Sequence, residues 1–468
     1  MSVSPPSPAT DPHRPAVHLR PPTGWINDPN GLSFHDGHYH VFFQHNPHSP
    51  RHGNIHWGHY RSPDLVHWQL LPPALAPAPG GHDADGCFSG NAVSDGERLV
   101  AFYSAHRADR WWQPVAAAES LDRGLSWAKR PELVIPEPPD GTTMWRDPYV
   151  WRQEGGWRML VGAALEDGRG AAFLYESEDL ERWTPRGPFA VGGGPDTGWE
   201  CPQYADFGPR GGALIVSDWS PRTGPRGTLV RTVQGGSVPL DHGPDFYAPA
   251  LLSAPNGRLL LWGWAWEARD DDWVEESDWA GLLTVPREVT LAEDGTIHQR
   301  PARELLALRG RQRLKSAGTS TSYDPVDLGQ VGRRFDLTAR LASSGSGVLR
   351  LATSADGTEH LDIRLDMTNR QLVVDRDHAS LDPRARGGSY ALPCPATDSD
   401  SVELRLIVDH SVAELYLSTG QTLTLRFYPS GDTPWRIQVG GDLDYAIEAW
   451  ELSPITVECD SAPVGAPV

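Results

Sequence analysis

The chain has few cysteines and no cysteine framework. Its four thiols stand at Cys87, Cys201, Cys394 and Cys459 with no CxxC pair, which argues against a zinc ribbon or a disulfide scaffold. No run approaches the ~18 apolar residues of a membrane-spanning helix. The opening stretch MSVSPPSPATDPHRPAVHLRPP contains no apolar h-region, so no secretory signal is expected there. Cationic charge is also short, with 41 Lys and Arg against 61 Asp and Glu and a net charge of −20. A field of that sign repels nucleic acid and anionic membranes, so neither is an expected partner, and it says nothing about a neutral substrate. A reduced, cytoplasmic protein follows from these absences.

Glycine (48), proline (43) and tryptophan (19) are abundant instead. Gly and Pro suit many short strands joined by turns, and Trp suits packed sheets and sugar-binding surfaces. At 468 residues the chain exceeds one ordinary domain, so two are expected.

A repeat organises the first part. SPDLVHW (62–68), SLDRGLSW (120–127) and SEDLERW (177–183) begin 58 and 57 residues apart. Five strongly apolar strands accompany it: YHVFFQHN from 39, RLVAFYSA from 98, WRMLVGAA from 157, ALIVSDWS from 213 and RLLLWGWA from 258. These intervals match four-stranded blades with their loops. The predicted class is all-β: a five-bladed β-propeller followed by a C-terminal β-sandwich. The expected divisions are a disordered leader (1–14), a propeller (15–305), a linker (306–320), a sandwich (321–455) and a flexible tail (456–468). The sandwich rests on alternation in VLRLATS, HLDIRLDM, VELRLIVD and TLTLRFYP.

Three carboxylate motifs fall in phase with the blades. WINDPNG (25–31) carries Asp28, RDP (146–148) carries Asp147, and ECP (200–202) carries Glu200. Each precedes a marker strand, so the three side chains are predicted to converge at one mouth of the central channel. An ordinary Asx turn is the competing reading of WINDPNG alone. Glycoside hydrolysis needs two carboxyl groups, one to protonate the leaving oxygen and one to attack or to activate water. The amides around Asp28 favour an ionised nucleophile. Arg146 should keep Asp147 ionised as a hydroxyl acceptor. Glu200, between Trp199 and Cys201-Pro202, is expected against an apolar wall that suits a proton donor.

Together with FFQHNP, HWGHYRSPDLVHW, FSG, DFYAP, DWAGLLTVPRE and the Q-x-P-x-x-E-L segment at 299–305, these motifs resemble glycoside hydrolase family 32, the β-fructofuranosidases. The resemblance implies retaining hydrolysis of terminal β-D-fructofuranosyl units, with Asp28 as nucleophile, Glu200 as acid/base and Asp147 as transition-state stabiliser. It further implies that Asn27, Gln44, Phe88, Ser89, Arg146 and Trp279 hold the fructosyl ring, and that neither a metal nor any other cofactor is needed. Sucrose is the expected substrate. Sucrose-6-phosphate, levan and inulin are the alternatives within the family, and Arg51 and His52 are the candidates for a phosphate. An arabinan- or xylan-cleaving relative and a non-catalytic sugar-binding propeller are the alternatives outside it.

Two departures from the family pattern, His52 and Gln203, fall toward the expected leaving-group side. Trp57 is expected to pack rather than bind. The nine histidines between 35 and 67 lack a metal framework. The acidic run RDDDWVEESD (269–278) reads as a solvated loop, and Asp409 and Glu414 read as surface charges.

Overall fold

The computed structural model describes residues 11–231, 236–343, 345–395, 401–431 and 433–459. Strands dominate, and the one α-helix among the described residues is Asp271–Ser277. The first 300 residues form five sheets whose inner strands are Gly24–His35, Gly86–Asp95, Thr142–Gln153, Gly198–Asp206 and Phe246–Ser253. Each inner strand touches the next, and the fifth returns to the first. The five apolar marker segments, in His38–Asn46, Arg98–His106, Gly156–Leu165, Gly212–Ser220 and Leu259–Ala265, pair antiparallel as the second strands of their sheets. Their side chains alternate between faces, and both faces meet neighbouring sheets, so they are buried nearly throughout.

The S-x-D repeat has a local cause. The Ser62 hydroxyl accepts from the Asp64 and Leu65 amides, while the Asp64 carboxylate accepts from Val66 and His67. Ser177 and Asp179 repeat those four bonds in the third sheet. The turn turns left-handed at Leu65 and Leu180, with φ of 68° and 66°, and the side-chain caps offset the cost of that conformation.

The second domain stacks two six-stranded antiparallel sheets. Leu337, Leu406 and Leu415 of one interleave with Leu351, Ile363 and Val439 of the other. Each such side chain contributes about 1.5–3 kcal/mol on burial.

The structure departs from expectation at the segment ends. Asp11–Arg14, assigned to the leader, are packed: Asp11 accepts a hydrogen bond from the Trp279 indole at 2.7 Å, and His13 Nε2 meets the Pro429 carbonyl at 2.9 Å. Residues 1–10 lie outside the described residues. Arg309–Ser320, assigned to the linker, is a full strand paired with Leu443–Leu452; only Arg303–Leu308 connects, as a 3-10 turn. Thr456–Cys459, assigned to the tail, adds in parallel to the outer strand His67–Leu75 of the first sheet. These pieces carry little apolar periodicity of their own and are ordered by partners far away in sequence.

Asp409 and Glu414 are not surface charges. Both are fully buried where the two domains meet. Asp409 accepts from the amides of Ala16, Val17 and His18. His18 lies between the two acids, its Nδ1 2.9 Å from Asp409 and its Nε2 2.9 Å from Glu414. Arg287 joins Glu414 at 2.5 Å to Asp241 at 2.8 Å. Backbones meet closely here too: a Cβ on Gly243 would lie 1.8 Å from the Thr424 carbonyl oxygen.

Candidate active site

All five inner strands are bulged at the same place. The register slips between Ile26 and Pro29, Cys87 and Gly90, Glu200 and Gln203, and Tyr247 and Ala250; in the third sheet it slips opposite Arg146–Tyr149. Consecutive residues of a regular strand face opposite ways, and a bulge re-aims them. The bulges therefore present two tiers of side chains. One tier is Asp28, Ser89, Asp147, Cys201 and Ala248. The other, one residue earlier on each strand, is Asn27, Phe88, Arg146, Glu200 and Tyr247. In four of the five strands the bulge residue precedes a proline, which has no amide to donate to the ladder. Asp147, Cys201 and Ala248 take left-handed φ of 65°, 45° and 45°, a cost of about 1–2 kcal/mol each. Part of that cost is offset because the Asp147 amide donates to Ser104 Oγ at 2.7 Å and the Cys201 amide to Asp147 Oδ2 at 3.0 Å.

Asp28 collects most of the hydrogen bonds. Ser89 Oγ donates to its Oδ2, Asn27 donates to its Oδ1 at 3.1 Å, and the Cys201 thiol lies 3.4 Å from its Oδ2. Gln44 binds Ser89 and accepts from Asn27 at 3.0 Å. The Trp25 indole fixes Asn27 from outside at 2.7 Å. Burial pushes the Asp28 carboxyl up to about 6, against the pull of Ser89 and Asn27, and the charge of Glu200 adds to the rise.

Asp147 differs from expectation. Burial, and after it the charge of Glu200, raise its carboxyl to about 7, with Arg146 only partly opposing. The reason is geometric: the Arg146 guanidinium reaches across to Glu200, donating to Oε1 at 2.9 and 2.6 Å. Sequence neighbours on a strand do not face each other, so Arg146 pairs with the next sheet. Nor does an apolar wall stand over Glu200. Arg146 holds one carboxylate oxygen and the Tyr247 hydroxyl donates to the other at 2.7 Å. Trp199 points away and is buried.

The remaining expected residues divide. Phe88 stacks on His106 with ring centroids 4.2 Å apart and meets His52 edge-on at 5.5 Å. His52 also meets Trp25 at 6.0 Å, so this departure stands at the mouth. Gln203 does not: it is buried, donating to the Pro202 carbonyl and accepting from the Leu251 amide. Trp57 packs, its indole donating to the Phe88 carbonyl at 3.1 Å. Trp279 does not line the site. It is 1% exposed, bonded to Asp11 and covered by the Arg269 guanidinium at 4.6 Å, so it serves the domain junction.

Sequence reasoning missed four groups here: Tyr247, Ser104, and the aromatic pair Trp264 and Trp266. Trp264 meets Trp25 at 5.6 Å, and Trp266 stacks on Tyr247 at 5.5 Å. Tyr247 was reachable, since YAP repeats the phase of ECP. The acidic run is a helix rather than a loop, capped by Asp270, whose carboxylate accepts from the Trp273 amide. Among the described residues no group of three or more His, Cys, Asp or Glu side chains is arranged to hold a metal ion.

The chain is similar to known proteins along its length. Residues 18–301 match the glycosyl hydrolases family 32 N-terminal domain and residues 304–449 the glycosyl hydrolases family 32 C terminal. It is 32% identical to a raffinose invertase of Escherichia coli, over 90% of each chain. It is 33% identical to a sucrose-6-phosphate hydrolase of Escherichia coli, over 89% of each. Fructan 1-exohydrolase IIa from Cichorium intybus superimposes with a TM-score of 0.85 at 24% identity, over 96% of this chain and 99% of that one, a likeness of fold.

Proposed function

We propose a catalytic assignment from the premise that this chain belongs to glycosyl hydrolase family 32. It is a β-fructofuranosidase and hydrolyses sucrose. The five sheets are read as five blades of one propeller, supported by the closed cycle of inner strands.

Asp28 attacks the anomeric carbon of the fructosyl unit while Glu200 protonates the leaving oxygen. Water then enters with Glu200 as base, and the fructosyl–Asp28 ester is hydrolysed with net retention. The oxygens of Glu200 accept hydrogen bonds from Arg146 and Tyr247, which fix the direction of its carboxyl group. Asp147 accepts hydroxyls of the fructosyl ring; such bonds favour its ionised form and oppose the effect of its burial. Asn27, Gln44, Ser89 and Arg146 orient these groups, and Phe88 and Trp25 supply apolar faces to the sugar.

The observation that carries this reading is the set of five bulges, which bring Asp28, Asp147 and Glu200 from three sheets to one space. Following sucrose cleavage by NMR tests it. Fructose released first as the β-anomer supports the two-step route, whereas α-anomer appearing first would overturn it. A cytoplasmic setting, with a small imported sugar as substrate, fits four unpaired cysteines of which Cys459 is exposed; subcellular fractionation tests it.

A further inference from the structure

One arginine at the mouth is not needed by the reaction. Arg51 adjoins His52, whose ring reaches both Trp25 and Phe88. The Asn46 side chain donates to the Arg51 carbonyl at 2.8 Å and fixes that loop. The guanidinium turns to the helix Asp271–Ser277, with Nη1 2.7 Å from Asp271 and Nε 2.5 Å from Glu275. Its Nη2 also donates to the Asp271 carbonyl at 3.0 Å. Arg51 therefore already serves two carboxylates.

The surrounding charge is acidic. Residues 270–278 carry Asp270, Asp271, Asp272, Glu275, Glu276 and Asp278. The other cations near the mouth are engaged too. Arg146 holds Glu200, and Arg226 holds Asp218 at 2.9 Å. Arg110 donates to the carbonyls of His82 and Ala105. His106, stacked on Phe88, is held below the ordinary imidazole range by burial and is neutral at pH 7.

We infer that this rim selects an uncharged leaving group, and that the contact of Arg51 with Asp271 and Glu275 is the specificity determinant against a phosphorylated one. The inference rests on the fructofuranosidase reading and deepens it. A phosphate dianion arriving at the mouth meets a guanidinium already ringed by two carboxylates, under a long-range field from a net charge of −20. A neutral glucosyl unit is not subject to that repulsion. The pair is solvent-exposed, so its own strength is modest; its effect is to withhold the cation and leave the acidic surroundings in command.

The test compares kcat/KM for sucrose and sucrose-6-phosphate at low and high ionic strength, in the parent enzyme, in D271N/E275Q and in R51A. The parent is expected to favour sucrose by about tenfold or more at low salt, with the ratio narrowing as salt is added. D271N/E275Q should raise kcat/KM for the phosphate by about fivefold and leave sucrose within about twofold. R51A should not weaken turnover of the phosphate. Equal or better turnover of sucrose-6-phosphate by the parent, an unchanged ratio in D271N/E275Q, or a selective loss of the phosphate in R51A overturns the inference. Failure to cleave either sugar would instead defeat the fructofuranosidase reading.

Discussion

Ser89 Oγ donates to Asp28 Oδ2 across the seam between the first and second sheets. The two residues are 61 positions apart, yet occupy the same bulge position on neighbouring inner strands. The carboxyl group proposed as nucleophile is thus tuned by a neighbour from another sheet.

That bond opposes the burial that raises Asp28 to about 6. Activity needs the ionised form, so it should fall as pH drops through about 6. Ser89→Ala removes a donor to the charged state and moves this acid limb upward by about one unit, the equivalent of one hydrogen bond of roughly 1.5 kcal/mol. A pH–kcat/KM profile of S89A checks it; an unmoved limb would show that another group sets it.

Asp28→Asn removes the proposed nucleophile but keeps the size and polarity of the side chain. Turnover should fall by at least about a thousandfold while sucrose binding, read by calorimetry, persists. Near-normal turnover would remove Asp28 from the mechanism.

His18 lies wholly buried between Asp409 and Glu414. Carboxylate oxygens face both ring nitrogens, so both donate and the ring is an imidazolium. Although burial opposes the charge, the two carboxylates raise the group to about 9. Its contribution to stability is complete below the ordinary value near 6.5 and is lost as pH rises through about 9. Glu414, held down to about 2 against its burial by Arg287 and His18, contributes above its ordinary value, and that share is lost as pH falls toward 2. Thermal melts from pH 6 to 10 should therefore show Tm declining at the alkaline end. In His18→Leu that decline should disappear, with a general loss of about 3–5 kcal/mol from leaving the carboxylates unpaired.

Trp279→Phe separates the two placements of this residue. The structure puts its indole on Asp11, so the change should cost about 1–3 kcal/mol of stability and leave KM for sucrose within about twofold. A KM rise without a change in Tm would return Trp279 to the sugar.

The bulged strands are legible because their signal is local and repeated: a Pro or Gly directly after the bulge residue, at one phase in every repeat. Asp28 and Asp147 stand directly before it, Glu200 stands one residue earlier, and Tyr247 shares the phase of Glu200. The junction was not legible. Asp409 meets His18 across 391 positions, and hydropathy reads an isolated carboxylate as solvated. Arg146 was misread for a related reason, since adjacency suggested Asp147 while strand geometry sends the guanidinium to Glu200. Residues 11–14 and 456–459 carry no periodicity, because their order comes from Trp279, Pro429 and an open strand edge.

The parallel strand Thr456–Cys459 has a consequence for biosynthesis. The first sheet precedes the second domain in the chain, yet its outer strand His67–Leu75 takes its parallel partner from Thr456–Cys459, beyond that domain. His18 likewise waits for Asp409 and Glu414. Until those later residues emerge, a nascent chain carries an unpaired strand edge and a His18 without its two carboxylates, a window for misassociation with neighbouring chains.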